Sequence, residues 1–469
     1  MSGARTIIAG AGRSDITPPV GSPHLNWGAA THEVAAGIDM ELYSTVLYLS
    51  DGASEVVLLN LDVATLTEGL ALEVRQAAAR ESSVSLDRVL VTWTHTHSAV
   101  PLHDTPWMEQ GRELFLEYQS SFAARAAQAA GEAKRNARPA RLGWGKGRSG
   151  IGINRRQHLD NGRIITGNNP AGPVDHEVVV FRIDDTDGMP IATVVNFAMH
   201  PTIMGHENDK ITPDYPGAMK RVVERNLGGL SLFLQGATGD IGPVEGFTGD
   251  LAVYRRAGAR LGYEVCRVAE GIRTAGGRLE FQHVLESGAP LGIYKWRHER
   301  ETPISIRSES RVARLMPHSV EPVEKLEGEY QDLDQKLRLA HQDGDENEIK
   351  RFHYQVKRAA LQLQRAQRLS EPGAVEIPVQ VITLGEAALV LTPLEPFCEI
   401  GIEVKRRSPL PATMFCGYSM GGYFLCYLPT DEALDEGGYE PGISLFGKGS
   451  AKELEDTAVS LLKELSTQM

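Results

Sequence analysis

Apolar residues follow two alternating patterns over the first part of the chain. Short β-branched runs, such as residues 55–61 and 89–92, are separated by alanine-rich segments such as residues 70–79. Short β-branched runs are typical of strands, and longer segments with an apolar residue every three or four positions are typical of helices. The alternation runs from residue 7 to about residue 276 and predicts an α/β fold with mixed sheets flanked by helices.

Residues 324–370 follow a different pattern, in which apolar residues recur at alternating steps of three and four. The break at 343–345, Asp-Gly-Asp, predicts a helical hairpin with one apolar stripe on each arm. Such a hairpin could be a dimer arm or a lid, and it could equally pack on its own domain with a solvated outer face. The pattern alone leaves these alternatives open.

The last part of the chain returns to strand-like runs at 374–384 and 387–391 and closes with a helix rich in lysine and glutamate. This order predicts one elaborated catalytic domain. Its parts are an α/β core at 1–320, the helical hairpin as an insertion at 321–372, and a smaller C-terminal α+β part at 373–469.

Charge and composition exclude several classes of partner. The chain has 469 residues, 42% of them hydrophobic, and a formal net charge of −13. Nucleic acids and anionic membrane surfaces attract clustered lysine and arginine, so we expect neither a nucleic-acid partner nor stable membrane association. The partner expected instead is a small-molecule substrate, and the hairpin is a candidate surface for a homo-oligomer.

The N-terminal residues contain no long apolar leader, and no later segment has transmembrane length, so the expected location is cytoplasmic. The four cysteines form no CxxC pair and are too few for a disulfide framework in a chain of this length. We therefore expect reduced thiols at Cys266, Cys398, Cys416 and Cys426.

Two histidines follow the apolar run 89–91 in the sequence THTHS. Alternate residues of a strand share a face, so His95 and His97 would project together from its end. A second apolar run delivers His200 to a Pro-Thr turn, which makes a third imidazole available. Zinc binds imidazole and carboxylate ligands, and three histidines would suffice for a catalytic site. On spacing alone, a surface or hydrogen-bonded histidine is the commoner outcome.

Several segments, in the same order along the chain, resemble the neutral/alkaline non-lysosomal ceramidase family. They are AGRSDITPPVG, THTHS, NFAMHPT, ITPDYPG and QGATGDIGP. The resemblance implies the catalytic N-terminal domain of that family, in a divergent, soluble member. It also implies zinc (Zn2+) as the cofactor. The ligand chemistry favours zinc over manganese or iron, and the affinity order alone does not fix the metal.

The resemblance implies four metal ligands. Two are His95 and His200, in the THTHS and HPT segments. The third is a glutamate in a Pro-x-Glu turn after an apolar strand, which matches Glu395. The fourth is a tyrosine in Tyr-x-x-Thr with Tyr-Glu twelve residues later, which selects Tyr427 over Tyr418 and Tyr423. The sequence around these tyrosines could equally form a buried aromatic strand.

The remaining candidate catalytic residues have less specific signals. His97 becomes a group that hydrogen-bonds a bound water or a developing oxyanion. Arg155 matches an Asn-Arg segment that contacts the polar group of the substrate in the family, against the alternative of a surface arginine. Asp240 and Asp214 could orient a ligand histidine or accept a proton, or they could cap turns.

One position departs from the family pattern. Ceramidases have a segment similar to Gly-Asp-Val-Ser-Pro where this chain has Gly-Asp-Ile-Gly-Pro. Gly242 thus stands where the family has a serine that it requires for catalysis. Ser98 or Thr238 could supply a hydroxyl from a neighbouring loop, but a zinc-activated water is the simpler nucleophile.

These residues predict a zinc-dependent hydrolase that cleaves an amide (C–N) bond of a small soluble substrate other than ceramide. The polar and aromatic residues 294–298 could line that substrate. One alternative is hydrolysis or elimination on an ester, lactone or sugar-derived substrate, because the metal does not dictate the bond. A second is a non-catalytic binding protein whose hairpin recruits a partner.

Overall fold

The structure is a computed structural model, and it describes residues 5–30, 32–103, 108–298, 302–369, 373–421 and 427–467.

The strands are β1 Arg5–Asp15, β2 Gly37–Ile38, β3 Tyr43–Ser50, β4 Glu55–Leu61, β5 Val89–Trp93, β6 Arg138–Arg148, β7 Gly152–His158, β8 Ile164–Asn169, β9 Glu177–Asp185, β10 Pro190–Phe197, β11 Lys210–Ile211, β12 Leu230–Gln235, β13 Ile241–Pro243, β14 Arg278–Leu285, β15 Leu291–Arg297, β16 Thr302–Pro303, β17 Ile306–Leu315, β18 Val375–Leu384, β19 Ala387–Leu391, β20 Glu395–Pro396, β21 Ala412–Cys416 and β22 Tyr427–Leu428. The helices are α1 Glu68–Ser82, α2 Arg112–Arg135, α3 Asp214–Leu227, α4 Leu251–Glu270, α5 Val323–Asp343, α6 Glu346–Arg368, α7 Cys398–Arg407, α8 Asp431–Glu436, α9 Tyr439–Ile443 and α10 Ser450–Thr467.

The main sheet is mixed and has the strand order β12-β10-β9-β6-β1-β3-β4-β5, with β16 beside β1 as a ninth strand. The pairs β4–β5 and β10–β12 are parallel, and β1 pairs antiparallel with both β3 and β6. Nearly every residue of β3, β4 and β5 is buried. Strands covered on both faces have apolar residues on both faces, which explains the near-continuous apolar runs of the sequence.

A second sheet, β17-β18-β19-β21, packs face to face on the main sheet. Leu47 and Leu58 of the main sheet lie in one core with Ile382 and Leu389 of the second. Helices α1 to α4 cover the other face of the main sheet, and α7 and α10 cover the outer face of the second. The result is a helix–sheet–sheet–helix arrangement, and the predicted fold class is confirmed.

The two ends of the main sheet curl towards each other, because β12 also contacts β3, β4 and β5. Asn60 on β4 makes the connection. Its side-chain amide donates to the carbonyl of Phe233 on β12 at 2.7 Å, and its carbonyl accepts the Phe233 N–H at 3.0 Å. The fully buried carboxamide thus takes the place of a strand neighbour and satisfies a backbone N–H and C=O that would otherwise lack partners.

The helical hairpin predicted at 321–372 consists of α5 and α6. Gly344 ends α5 in the left-handed conformation, with φ +67°, and Asp345 caps α6 by accepting the N–H groups of Asn347 and Glu348. Near its end, α6 contacts α9 through Arg365, whose guanidinium donates to the carbonyl of Gly442 at 2.9 Å. The hairpin therefore packs on its own domain. Its use as a surface for a homo-oligomer stays a prediction.

None of the described helices combines the length and the apolar character that a membrane span requires. Three of the four cysteines, Cys266, Cys398 and Cys416, carry free thiols, and Cys426 lies outside the described residues. The domain boundaries and the cytoplasmic location stay predictions.

A buried ion pair on α3 gives a test of the packing under the main sheet. The Lys220 ammonium lies 2.6 Å from the Asp62 carboxylate, and both side chains are at most 5% exposed. Replacing Lys220 with methionine leaves the Asp62 charge buried and unpaired, so we expect the free energy of unfolding to fall by about 3–5 kcal/mol.

Chemical denaturation measures this change. The matched control is Arg221→Met on the same helix, since Arg221 pairs with Glu41 at the surface, where both side chains are about half exposed. We expect the control to lose about 1 kcal/mol or less. Equal losses in the two variants would contradict the assignment.

Candidate metal centre

Three histidines reach one place because the strands that precede them are neighbours in space. His95 and His97 follow β5, and His200 follows β10. Strand β12 lies beside β10 and, through the curl of the sheet, beside β5. At the end of β12, the side-chain amide of Gln235 donates to the carbonyls of Thr94 at 3.2 Å and Met199 at 2.9 Å. Thr94 and Met199, which directly precede His95 and His200, are thus both hydrogen-bonded to the Gln235 side chain.

Each imidazole directs its Nδ1 atom to a backbone carbonyl. The distances are 2.5 Å from His95 to Ala64, 2.7 Å from His200 to Thr238 and 3.3 Å from His97 to Asn26. A carbonyl only accepts hydrogen bonds, so the proton of each neutral ring lies on Nδ1 and the Nε2 lone pair is free. Carbonyls that fix the tautomer in this way are typical partners of metal-binding histidines.

The three Nε2 atoms converge. The Nε2 atom of His95 lies 3.2 Å from that of His200 and 3.3 Å from that of His97. Two nitrogens that each bind a tetrahedral zinc at about 2.0–2.1 Å are roughly 3.3 Å apart. The spacing therefore fits a shared metal ion. His95 also has φ +66°, a conformation rare for a residue with a side chain, and such strain concentrates at functional sites.

Glu395 adds a carboxylate to the three imidazoles. Its Oε2 atom lies 3.7 Å from Nε2 of His95 and 3.6 Å from Nε2 of His200. Strand β20, which begins at Glu395, pairs in parallel with β22 and sets Glu395 opposite Tyr427. The C-terminal part of the chain thus contributes to a centre that the first half begins.

The protonation states also fit metal binding. Burial lowers the pKa of His95 and His97, and it lowers the pKa of His200 to about 3. Burial acts to raise the pKa of Glu395, but His95 and His200 outweigh it and bring that pKa well below its usual range. The centre therefore holds neutral imidazoles and an ionised carboxylate, which are the forms that bind metals.

Tyr427 lies beside the histidines, with its ring stacked on that of His200 at a centroid distance of 6.4 Å. Its hydroxyl accepts a hydrogen bond of 3.0 Å from Nη2 of Arg155, whose Nε atom donates to Glu440 at 2.8 Å. Burial raises the pKa of Tyr427, and the Arg155 guanidinium partly opposes this by favouring the phenolate. Arg155 is buried, so the alternative of a surface arginine is wrong.

Tyr418 is a member of the centre that the sequence did not single out. Its ring lies 4.4 Å from that of His95, and its hydroxyl lies 3.3 Å from Oε2 of Glu395 and 2.6 Å from Oγ1 of Thr238. It therefore orients the carboxylate. Tyr423, the third tyrosine considered, lies outside the described residues.

The carboxylate of Asp240 already has two hydrogen-bond partners. It accepts the Cys398 N–H at 2.7 Å and the Asn154 side-chain amide at 2.9 Å, and burial raises its pKa to about 6. Its backbone carbonyl accepts the N–H of Arg155 at 2.7 Å. Asp240 thus holds the strand that carries Arg155. The carboxylate of Asp214, the first residue of α3, accepts the N–H of Tyr215 at 2.6 Å and the N–H of Met204 at 3.2 Å. It thus connects the start of α3 to the loop after His200.

Gly242 lies on β13, which pairs with β7 next to Arg155. A Cβ atom at Gly242 would approach the Arg155 Cβ to 3.3 Å, so the missing side chain leaves room for the arginine. Both hydroxyls considered as substitutes already have partners. Ser98 accepts from Asn208 at 3.0 Å, and Thr238 bonds to Tyr418.

The polar and aromatic residues 294–298 lie far along the chain from these groups and begin on the two-stranded sheet β14–β15. Tyr294 is 57% exposed, and among the described rings it contacts only that of Phe281 on the neighbouring strand, edge to face. Trp296 lies under the guanidinium of Arg273. No described contact joins this segment to the histidines.

The family described as neutral/alkaline non-lysosomal ceramidase, N-terminal, matches residues 8–244, about half of the chain. This chain belongs to that ceramidase family. The family resemblance in the sequence motifs is therefore confirmed.

Two curated relatives are neutral ceramidases. Neutral ceramidase A of Dictyostelium discoideum is 24% identical over 259 residues, which cover 50% of this chain and 35% of that protein. The neutral ceramidase of Oryza sativa subsp. japonica is 25% identical over 234 residues, which cover 47% of this chain and 29% of that protein. The matched part thus spans about a third of each relative.

Two solved structures share the fold. The crystal structure of the neutral ceramidase from Pseudomonas aeruginosa matches with a TM-score of 0.70 and 17% identity, over 100% of this chain and 75% of that one. A ceramidase complexed with C2 matches with a TM-score of 0.67 and 17% identity, over 99% and 76% of the two chains. At this identity the likeness establishes the fold.

The buried imidazoles predict a dependence of stability on pH in the metal-free protein. His200 has a pKa of about 3 in the folded state, below the ordinary value of 6.5. Between these two pH values the unfolded chain therefore binds more protons than the folded one. The free energy of unfolding rises with pH across this window, so acidification through it destabilises the fold. At pH 5 the loss through His200 alone is about 2 kcal/mol relative to pH 7.

Denaturant titrations of chelator-treated protein at pH 7 and pH 5 measure this loss. The control is His200→Gln, whose amide does not titrate, and its loss should be smaller by about that 2 kcal/mol. An identical loss in both proteins would show that His200 is not held neutral.

Proposed function

We propose that this chain is a zinc-dependent hydrolase that cleaves an amide (C–N) bond of a small, soluble substrate. The observation that carries the proposal is the convergence of three imidazole Nε2 atoms and the Glu395 carboxylate in a buried site. Membership of a ceramidase family supports amide cleavage as the chemistry. An arrangement of free lone pairs beside an ionised carboxylate has no evident use in a protein that only binds a partner.

We assign His95, His200 and Glu395 as zinc ligands and Tyr427 as the fourth protein ligand. The Arg155 guanidinium on the Tyr427 hydroxyl supports this last assignment, because a cation at that oxygen stabilises a phenolate. Zinc bound there would supply a Lewis acid for the substrate carbonyl and would lower the pKa of a water towards about 7.

The residues around the ligands then have separate tasks. His97 is only partly buried, so its Nε2 lone pair is available to accept a hydrogen bond from the attacking water. With its proton on Nδ1, this ring has no Nε2–H to donate to a developing oxyanion. Arg155 carries a fixed positive charge beside Tyr427, and its ion pair with Glu440 holds it there. Tyr418 positions Glu395, and Asp240 positions β7, the strand that carries Arg155.

A substrate other than ceramide follows from two features. Gly242 removes the hydroxyl that the family pattern places in this segment, and Arg155 packs over the glycine instead. The acidic chain, with a net charge of −13, is also poorly suited to an anionic lipid surface. We therefore propose substrates that reach the centre from solution.

Metal analysis tests the ligand assignment directly. Protein purified without chelator should contain about one zinc per chain by elemental mass spectrometry, and His200→Ala should lose it. The control is His176→Ala, because His176 is a partly buried histidine that bonds to the carbonyl of Ser149 outside the centre. Wild-type protein without metal, and without uptake of added zinc, would overturn the proposal.

Turnover tests the role of Arg155. Measured at saturating zinc, because the variant also loses the cation beside Tyr427, Arg155→Met should lower kcat by roughly 10²–10³, the usual effect of removing one donor to an oxyanion. A panel of p-nitroanilides and p-nitrophenyl esters of short acids provides the assay and distinguishes amide from ester cleavage. Arg138→Met, at an exposed arginine paired with Asp185, is the control. Unchanged kcat in Arg155→Met would remove this arginine from the mechanism.

A further inference from the structure

Two aromatic side chains border the partly exposed side of the metal centre. The ring of Trp27 lies 5.2 Å from the ring of His97, and Phe247 meets Trp27 edge to face at 5.6 Å. His97 and Trp27 are partly buried, and Phe247 is 36% exposed. The two rings thus form a continuous contact from His97 to the exposed side chain of Phe247.

The segment that carries Trp27 is fixed to the centre by its neighbour in the sequence. The carbonyl of Asn26 accepts the Nδ1 proton of His97, and the Asn26 side-chain amide donates to the carbonyl of Ala99 at 2.5 Å. Trp27 is therefore held beside His97 by two hydrogen bonds that its neighbour Asn26 makes, one to His97 and one to Ala99. Its place does not depend on its own ring alone.

Phe247 is held in an unfavourable backbone conformation, with φ +59°. Its N–H donates to the carbonyl of Thr202 at 3.2 Å, two residues after His200. Gly205 permits this approach, because a Cβ atom there would lie 2.6 Å from the Phe247 Cα. Strain that the surrounding structure maintains is characteristic of binding sites.

We propose that Trp27 and Phe247 form an aromatic subsite that binds a planar ring attached directly to the carbonyl of the substrate. The inference rests on the proposed zinc hydrolase function, since the subsite is defined by its distance from the centre. Aromatic rings favour edge-to-face and offset contacts with each other, so a third ring beside Trp27 and Phe247 would extend the edge-to-face pair that they already form. Substrates with an aromatic acyl group would be preferred over aliphatic ones of equal size.

Three zinc-binding hydroxamates test the subsite without a substrate. Acetohydroxamate has no ring, cyclohexanecarbohydroxamate has a bulky apolar ring that is not planar, and benzohydroxamate has a planar one. Isothermal titration calorimetry of the zinc-loaded wild-type protein should give the tightest binding for benzohydroxamate, roughly three- to tenfold tighter than for the cyclohexane analogue.

Variants then assign the preference to Trp27. Trp27→Phe retains an aromatic ring and should retain the preference, whereas Trp27→Leu should bind the two ring compounds equally. Trp296→Leu, at a tryptophan in the separate β14–β15 sheet, should behave as wild type. Zinc content and acetohydroxamate affinity, measured in the same samples, report whether each variant keeps the centre.

The outcomes separate the two proposals. Wild-type protein that binds neither zinc nor acetohydroxamate would overturn the hydrolase function and the subsite together. Protein that binds acetohydroxamate but does not distinguish the planar from the non-planar ring would overturn only the subsite. The same holds if Trp27→Leu keeps the wild-type preference.

Discussion

The hydrogen bonds between the Asn60 side chain and the backbone of Phe233 are the interaction on which the rest of the site depends. They join two strands, β4 and β12, that lie near opposite ends of the main sheet. Without this closure, the ends of β5 and β10 would lie a sheet's width apart. A buried carboxamide suits the task because it has one donor group and one acceptor, as a peptide unit has.

The closed end of the sheet then provides carbonyl groups as well as histidines. Ala64, Thr238 and Asn26 each accept an imidazole proton through the backbone, so no acidic side chain is needed to orient the rings. Neutral acceptors leave Glu395 as the only carboxylate that closely approaches the Nε2 atoms among the described residues. Neutral acceptors add no further charge to the buried cluster, which limits the number of charged groups that the fold has to bury there.

The sequence predicted the parts of this arrangement that depend on local patterns. Apolar runs predicted the strands before His95 and His200, and the family resemblance identified Glu395, which no local spacing connects to the histidines. The carbonyls of Ala64 and Thr238 could not be predicted, because any residue type supplies a carbonyl. Asn60 was also missed, since it lies in an apolar run where its polar side chain has no visible partner. Gln235 lies in the quoted QGATGDIGP segment, but the two carbonyls that it contacts could not be predicted from that segment.

Trp27 illustrates a different reason for a missed residue. It lies in a loop without regular periodicity, and only the folded chain brings it to His97. The aromatic segment at 294–298 attracted attention because its residues are adjacent in sequence, although adjacency in a strand separates side chains to opposite faces. A cluster of aromatic residues in the sequence therefore did not indicate which aromatic side chain lies beside the histidines in the fold.

The way the α5–α6 hairpin is attached between β17 and β18 allows its length to change during evolution. Leu315, the last residue of β17, pairs with Val375, the first residue of β18, so the chain leaves and re-enters the second sheet at neighbouring points. Two antiparallel strands with ends this close can be joined by a two-residue turn. The whole hairpin is thus an elaboration of one turn. Its length can vary without any change of strand order, as long as α6 keeps its contact with α9, the helix that carries Glu440.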